Sequence, residues 1–192
     1  LQAQLLQDVN INPVQPSRSE TNLNIITSGG PAQAGFNEFT PLFEREQVQF
    51  NGTTEFGNDN TIGGEAVVSA LFDRYSVSAG AFHYQTDGWR PNNNVSHDIY
   101  NAFAQAAVTP EINLQVEYRH RMSENGDIDF NFSPNDFLTD KTTTRTQDIG
   151  RLGLRYSPAP TTDVLVSYIH SDRREQTLST ETLDFGSGLL LD

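Results

Sequence analysis

The stretch "EINLQVEYRHRM", residues 111–122, decides how the rest of the chain is read. Leu114, Val116, Tyr118, His120 and Met122 fall on one parity; Gln115, Glu117, Arg119 and Arg121 fall on the other. Alternation sustained over about 4–8 residues is the signature of a β-strand. This strand has one mostly apolar face and one heavily charged face.

The same period recurs along the chain. "QVQFNGTTEF" sets Val48, Phe50, Gly52, Thr54 and Phe56 against Gln47, Gln49, Asn51, Thr53 and Glu55. "EAVVSALFDRYSVSAGAFHY" holds two strands that meet at Asp73 and Arg74, the second with Tyr75, Val77, Ala79 and Ala81 opposite Ser76, Ser78 and Gly80. "DIYNAFAQAAV" sets Tyr100, Ala102, Ala104, Ala106 and Val108 against Asn101, Phe103 and Gln105. Its Ala and Gln are good helix formers, but Pro110 and the strand-rich surroundings favour a strand. "GRLGLRY" sets Leu152, Leu154 and Tyr156 against Arg151, Gly153 and Arg155, and "DVLVSYIH" alternates less cleanly. An all-β chain with about seven or eight strands is expected.

The connections sort by length. "FDRY", "TPEIN" and "SPAPTTD" are short and rich in turn residues; "GNDNTIGG", "TDGWRPNNNVSHD" and "SENGDIDFNFSPNDFLTDKTTTRTQD" are longer and polar. They alternate along the chain. In an up-and-down sheet alternate connections share an end, so the short turns are expected at one end and the long loops at the other. An antiparallel up-and-down transmembrane β-barrel, or a section of one, has this asymmetry. A soluble sandwich has no reason to sort its loops.

Composition agrees with that expectation. Hydrophobic residues make up 35% of the chain and the mean hydropathy is −0.52. A membrane barrel needs apolar residues only at alternate strand positions, so low hydropathy does not exclude one. The formal net charge of −13 argues against nucleic acid, whose phosphates require a basic surface. The chain has no Cys, so it has no disulfide framework and no thiolate metal site. No apolar run is long enough for a transmembrane helix. "LQAQLLQDVN" lacks a basic region followed by an apolar run, so it does not read as a signal peptide. Residues 1–44, broken by Pro13 and Pro16 and rich in Gly and Pro, are expected to form an irregular linker with one short strand at 22–27; residues 45–192 are expected to hold the barrel strands and their long outer loops.

In a barrel the apolar parity meets lipid and the charged parity lines the lumen. The expected lumen-lining residues are Gln115, Glu117, Arg119, Arg121, Arg151 and Arg155, with Arg151 and Arg155 pairing across strands with Glu117. Phe72, Tyr75 and Tyr156 sit beside short turns, where an aromatic girdle at the membrane interface belongs.

The stretch "FHYQTDGWRPNNNVSHDIYNAFAQAAVTPEINLQVEYRHRMSENGDI" resembles parts of large Gram-negative outer-membrane β-barrels, both TonB-dependent-receptor-like barrels and barrels fused behind tetratricopeptide repeats. The resemblance runs over about residues 38–174 and lies in phrasing such as "YQTDGWRPNNN" and "DIYNAFAQAAVTP". It implies uptake or export across the outer membrane, membrane lipid and lipopolysaccharide as surroundings, a periplasmic or energy-coupling partner, and no enzyme activity. The chain departs from a complete member in lacking a plug domain and an energy-coupling box, and in ending "GLLLD" without an aromatic residue. It is therefore expected to be a fragment.

Chemistry is sparse. His83, His97, His120 and His170 show no metal-ligand spacing. No glycine-rich phosphate loop precedes a helix. "GNDN" and "ENGDIDF" lack a complete calcium-loop pattern. Ser96, His97 and Asp98 are a triad in composition only, because a triad is recognised by geometry. Glu117 with Glu65 or Glu55 would offer the two carboxylates of a retaining glycosidase, but a salt ladder explains Glu117 equally well. Neither catalytic residues, cofactor nor metal is expected. The alternative reading is a secreted or surface-anchored soluble β-domain that binds a partner or glycan through its loops.

Overall fold

The computed structural model describes residues 45–129 and 137–179. The linker expected at 1–44, its short strand at 22–27 and the tail beyond 179 lie outside the described residues. Seven strands follow in order: β1 (Gln47–Phe56), β2 (Ile62–Phe72), β3 (Tyr75–Thr86), β4 (Val95–Thr109), β5 (Ile112–Asn125), β6 (Thr142–Ala159) and β7 (Thr162–Leu178). They form one sheet in the order β1-β2-β3-β4-β5-β6-β7, and each neighbouring pair is antiparallel. The up-and-down sheet is as expected. The closed barrel is not: β1 and β7 are the two edges of an open sheet.

The segment "DIYNAFAQAAV" lies in β4 despite its helix formers. Its alternation lets Asn101, Phe103 and Gln105 share one face, and pairing on both sides overrides local propensity. The three two-residue turns, at 73–74, 110–111 and 160–161, lie at one end of the sheet; the loops 57–61 and 87–94 and the described parts of the connection between β5 and β6, 126–129 and 137–141, lie at the other. Asp73 takes a left-handed conformation with φ of 50°, which suits a tight hairpin. Two irregularities in pairing, at Ala107/Thr109 and Tyr156/Ala159, sit just before short turns and end the clean alternation there. Val108 falls inside the first of them.

The strands run further than the apolar alternation. β6 begins at Thr142, so "TTTRTQD" is strand and the preceding loop is shorter than its polar composition suggests. β4 likewise takes in "VSHD", and β7 continues through "SDRREQTL". Thr is β-branched and fits a pleated surface, so a Thr-rich run extends a ladder without any apolar signal.

The two faces are unequal, and the polar parity is the enclosed one. Ser76, Ser78, Asn101, Gln105, Gln115, Arg121, Ser123 and Arg151 are buried, whereas Val68, Val77, Tyr118, Leu152 and Val166 are exposed. A coiled sheet crowds side chains on its inner side and spreads them on its outer side. At the loop end of the polar face a small apolar cluster forms from Val67, Phe82, Tyr84, Val95 and Ile99, with Ile128 packed against it. Phe82 is 3% exposed, while Val68 on the opposite face is 43% exposed. Phe82→Ala should therefore cost about 3–5 kcal/mol and leave a cavity, and Val68→Ala should cost far less. Denaturant unfolding of both variants checks this; equal losses would mean that the cluster does not anchor this end of the sheet.

Candidate functional site: a charged face under a clamped loop cap

The register of β5 with β6 places Glu117 directly opposite Arg151. An Arg151 guanidinium nitrogen lies 3.2 Å from Glu117 Oε2, and an Arg119 nitrogen lies 3.4 Å from Oε1. Asn101 on β4 donates to Oε1 at 3.5 Å. The cross-strand pair expected between Glu117 and Arg151 is thus present. The pair expected between Glu117 and Arg155 is not: Arg155 bonds Asp163 on β7 at 3.0 Å. The reason is distance. Arg155 stands opposite Asn113, four residues along the strand from Glu117, or about 13 Å at the strand rise.

All six residues expected on the charged face share it. Arg121 and Gln115 are buried there, and Gln115 lies across Gly153: a Cβ at position 153 would stand 2.6 Å from its Cγ. Sequence reasoning missed other members. Arg145 and Arg173 both bind Glu175, at 3.1 and 2.7 Å, on strand extensions that look like loop. The Thr-rich run 142–146 was a strand signal through its β-branched residues, whereas the four consecutive charges at 172–175 show no alternation. His97 was also missed. It is fully buried against the edge of Phe82, with ring centroids 5.9 Å apart, and neither ring nitrogen has a hydrogen-bond partner. Both amide atoms of Gln115, Asn101 Oδ1 and Arg119 Nε are buried without a protein partner too. Buried polar groups in such number are tolerated where water reaches them, not in a dry core.

The opposite face is an apolar band. Phe72, Tyr75 and Tyr156 are exposed on it beside the short turns. Tyr100 and Tyr118 stand at its far border, where the sequence did not single them out. Tyr118 Oη donates to Asp148 Oδ1 at 2.6 Å, His120 Nδ1 lies 2.8 Å from the same oxygen, and the Tyr100 ring stacks on His120. His83 pairs with Asp98 at 2.7 Å in the next row. His170, opposite Gly150, also belongs to this face. Between the two aromatic borders lies a shallow apolar hollow of about 500 Å³ walled by Tyr75, Leu114, Val116, Leu152 and Tyr168. Ser96 and Asp98 point to this face and His97 to the other, so these three neighbours do not converge. No group of three or more His, Asp or Glu placed to hold a metal ion occurs among the described residues.

At the loop end, the connections 87–94 and 126–141 are tied together. Arg90 donates to the carbonyls of Asp127 and Asp129, Asn92 to those of Leu138 and Lys141, and Asn93 to that of Asp127. The Arg90 guanidinium stacks between Trp89 and Phe137, 5.3 and 5.4 Å from their ring centroids. Gly126 passes so close to Asn92 that a Cβ would stand 2.1 Å from the Asn92 carbonyl oxygen. Asp127 is buried between Arg90 and Lys141, at 3.7 and 3.6 Å. Burial pushes its carboxyl up, but donation from the Leu138 and Asp129 amides and the two cations outweigh this and hold it below the ordinary value. Lys141 is raised, chiefly by its hydrogen bond to Asp129.

Comparison with known protein families, curated proteins and solved structures finds no match for the chain.

The Asp127 clamp has a defined pH response. Because its folded value is depressed, its contribution is fully present above the unfolded carboxylate value of about 3.9 and is lost as pH falls through the folded value. Amide protection factors at Gly126 and Leu138, which remove the intrinsic pH dependence of exchange, should stay high at pH 5 and drop below about pH 4. Asp127→Asn should remove that acid dependence; an unchanged pH profile in the variant would show that another group holds the loops.

Proposed function

We propose that these strands form part of the wall of a transmembrane β-barrel in a Gram-negative outer membrane, acting as a conduit or receptor for solute uptake or polymer export. The observation that carries this reading is the inverted polarity of the sheet: the enclosed face is polar and the exposed face is apolar. A water-soluble sheet does the reverse. A barrel in lipid requires this arrangement, with a wet interior and an apolar exterior.

The dimensions support it. From the row of Tyr156 and Ile112 to the row of Tyr100 and His120, β5 advances from residue 112 to 120. A tilted transmembrane strand needs about 9–11 residues, and this stretch supplies nine. Aromatic residues at both borders match the two interfacial girdles. In this reading Gln115, Glu117, Arg119, Arg121, Arg151 and Arg155 line the lumen, and the clamped loops project outward. Lipid does not tolerate an unpaired edge. The β1 and β7 edges therefore pair in the membrane, with each other or with further strands. The sequence resemblance to large outer-membrane barrels points the same way; in this reading lipopolysaccharide neighbours the loop end.

Two measurements test this reading. Val116→Arg, at the middle of the apolar band, should destabilise the protein in lipid vesicles by about 2–4 kcal/mol. Ser167→Arg, on the polar face of β7, should be close to neutral. Equal effects would favour a soluble β-domain. The chain has no Cys, so single introduced thiols report cleanly. Asn58→Cys and Thr139→Cys in the long loops should react with an impermeant reagent on intact cells. Glu111→Cys and Ala159→Cys at the short turns should react only after the envelope is opened. Labelling of all four on intact cells would contradict the sidedness.

A further inference from the structure

The charged face carries more than one ion pair. Arg119 and Arg121 on β5, Arg145, Arg151 and Arg155 on β6, and Arg173 on β7 all share it. The register orders them from the loop end to the turn end. Arg145 comes first, opposite Glu175. Arg121 and Arg173 follow, flanking Gln147. Arg119 stands opposite Ile149, and Arg151 and Arg155 complete the series. From position 145 to 155 the strand advances about 33 Å, so cationic rows recur every 7 Å or so, with a gap only at the Gly153 row.

Carboxylates on the same face of these three strands number only three among the described residues: Glu117, Asp163 and Glu175. Each is held by an arginine. The strip is therefore cationic in a chain whose formal net charge is −13. On the far side of the sheet the same face carries Glu55 and Glu65 and no Lys or Arg. Acid and base are thus segregated across the sheet.

We infer that this arginine ladder selects anionic solutes, those bearing carboxylate, sulfate or phosphate groups. The inference rests on the reading of this face as a lumen. A guanidinium presents a planar fork that matches such oxyanions and keeps its charge at any physiological pH. A series of such forks, five of the six already shared with a carboxylate, binds an anion well enough to admit it and weakly enough to pass it to the next row. The carboxylates also hold the side chains in place between passages.

The test is the current carried by the full-length protein in planar lipid bilayers under a potassium chloride gradient. The reversal potential should have the sign of chloride preference. Inorganic pyrophosphate, the probe for a phosphate-bearing solute, should reduce the chloride current. Arg151→Gln should shift the reversal potential toward potassium and weaken the pyrophosphate effect. Arg151 is buried, so the double variant Arg145→Gln with Arg173→Gln, at more exposed positions, provides the same readout without disturbing the centre of the sheet. A channel that prefers potassium, or a chloride current indifferent to pyrophosphate, would overturn the ladder while leaving the conduit standing. Unshifted variants would overturn these particular arginines. Absence of any conductance would overturn the conduit itself, and the ladder's role with it.

Discussion

The register that sets Glu117 against Arg151 is the constraint on which the rest of the structure depends. Side chains in a strand alternate with period two, so the same register sets Val116 against Leu152 on the other face. A slip of one residue would carry the guanidinium groups onto the apolar band and Leu152 into the charged strip. The pairing is reinforced along the strand by Asn101, Arg119 and the Gln115 side chain lying across Gly153. A bulkier residue at 153 would displace that amide. One charged pair and one glycine thus help hold the two chemistries apart over the length of β5 and β6.

That separation makes the sheet an inside-out object. Apart from the apolar residues led by the cluster at the loop end, its buried members are serines, amides, arginines and a histidine, while many valines, leucines and tyrosines are exposed. Burying an ion pair in a dry core is costly unless every remaining donor is satisfied. Here Arg119 Nε, both Gln115 amide atoms and the His97 ring lack protein partners. A wet enclosed face removes the difficulty, and a lipid-facing outer surface removes the complementary one, the exposure of so many large apolar side chains. Both follow from one proposal. The loop end adds rigidity where such a wall would need it, because Arg90, Asn92 and Asp127 fasten neighbouring connections to one another.

Much of this was legible in the sequence. Alternation at residues 111–122 identified the two faces of β5, and the sorted connection lengths identified the up-and-down order. What escaped was strand length. Apolar periodicity stops near Asp148 and near His170, but backbone pairing does not need apolar side chains and runs on through Thr142 and Leu178. Arg145, Arg173 and Glu175 were hidden for that reason. The partner of Arg155 escaped because Asp163 falls in "SPAPTTD", which reads as a turn although β6 and β7 run through most of it. His97 escaped because a polar residue between Ser96 and Asp98 looks solvated until the face it occupies is known. A section of a barrel was one of the expectations, but whether β1 and β7 would close on each other was not legible, since closure depends on strand number and stagger rather than on any local pattern.

The central claim is that the two faces of β5 meet two different solvents. Spin labels placed one at a time from Leu114 to Arg121 in the full-length protein, reconstituted in lipid vesicles, measure this directly. Collision rates with oxygen, which concentrates in lipid, and with a water-soluble nickel chelate should both oscillate with period two and in opposite phase. Oxygen should be favoured at Leu114, Val116 and Tyr118, and the chelate at Gln115, Glu117 and Arg119. In-phase oscillation of the two reagents, or no oscillation, would contradict the account.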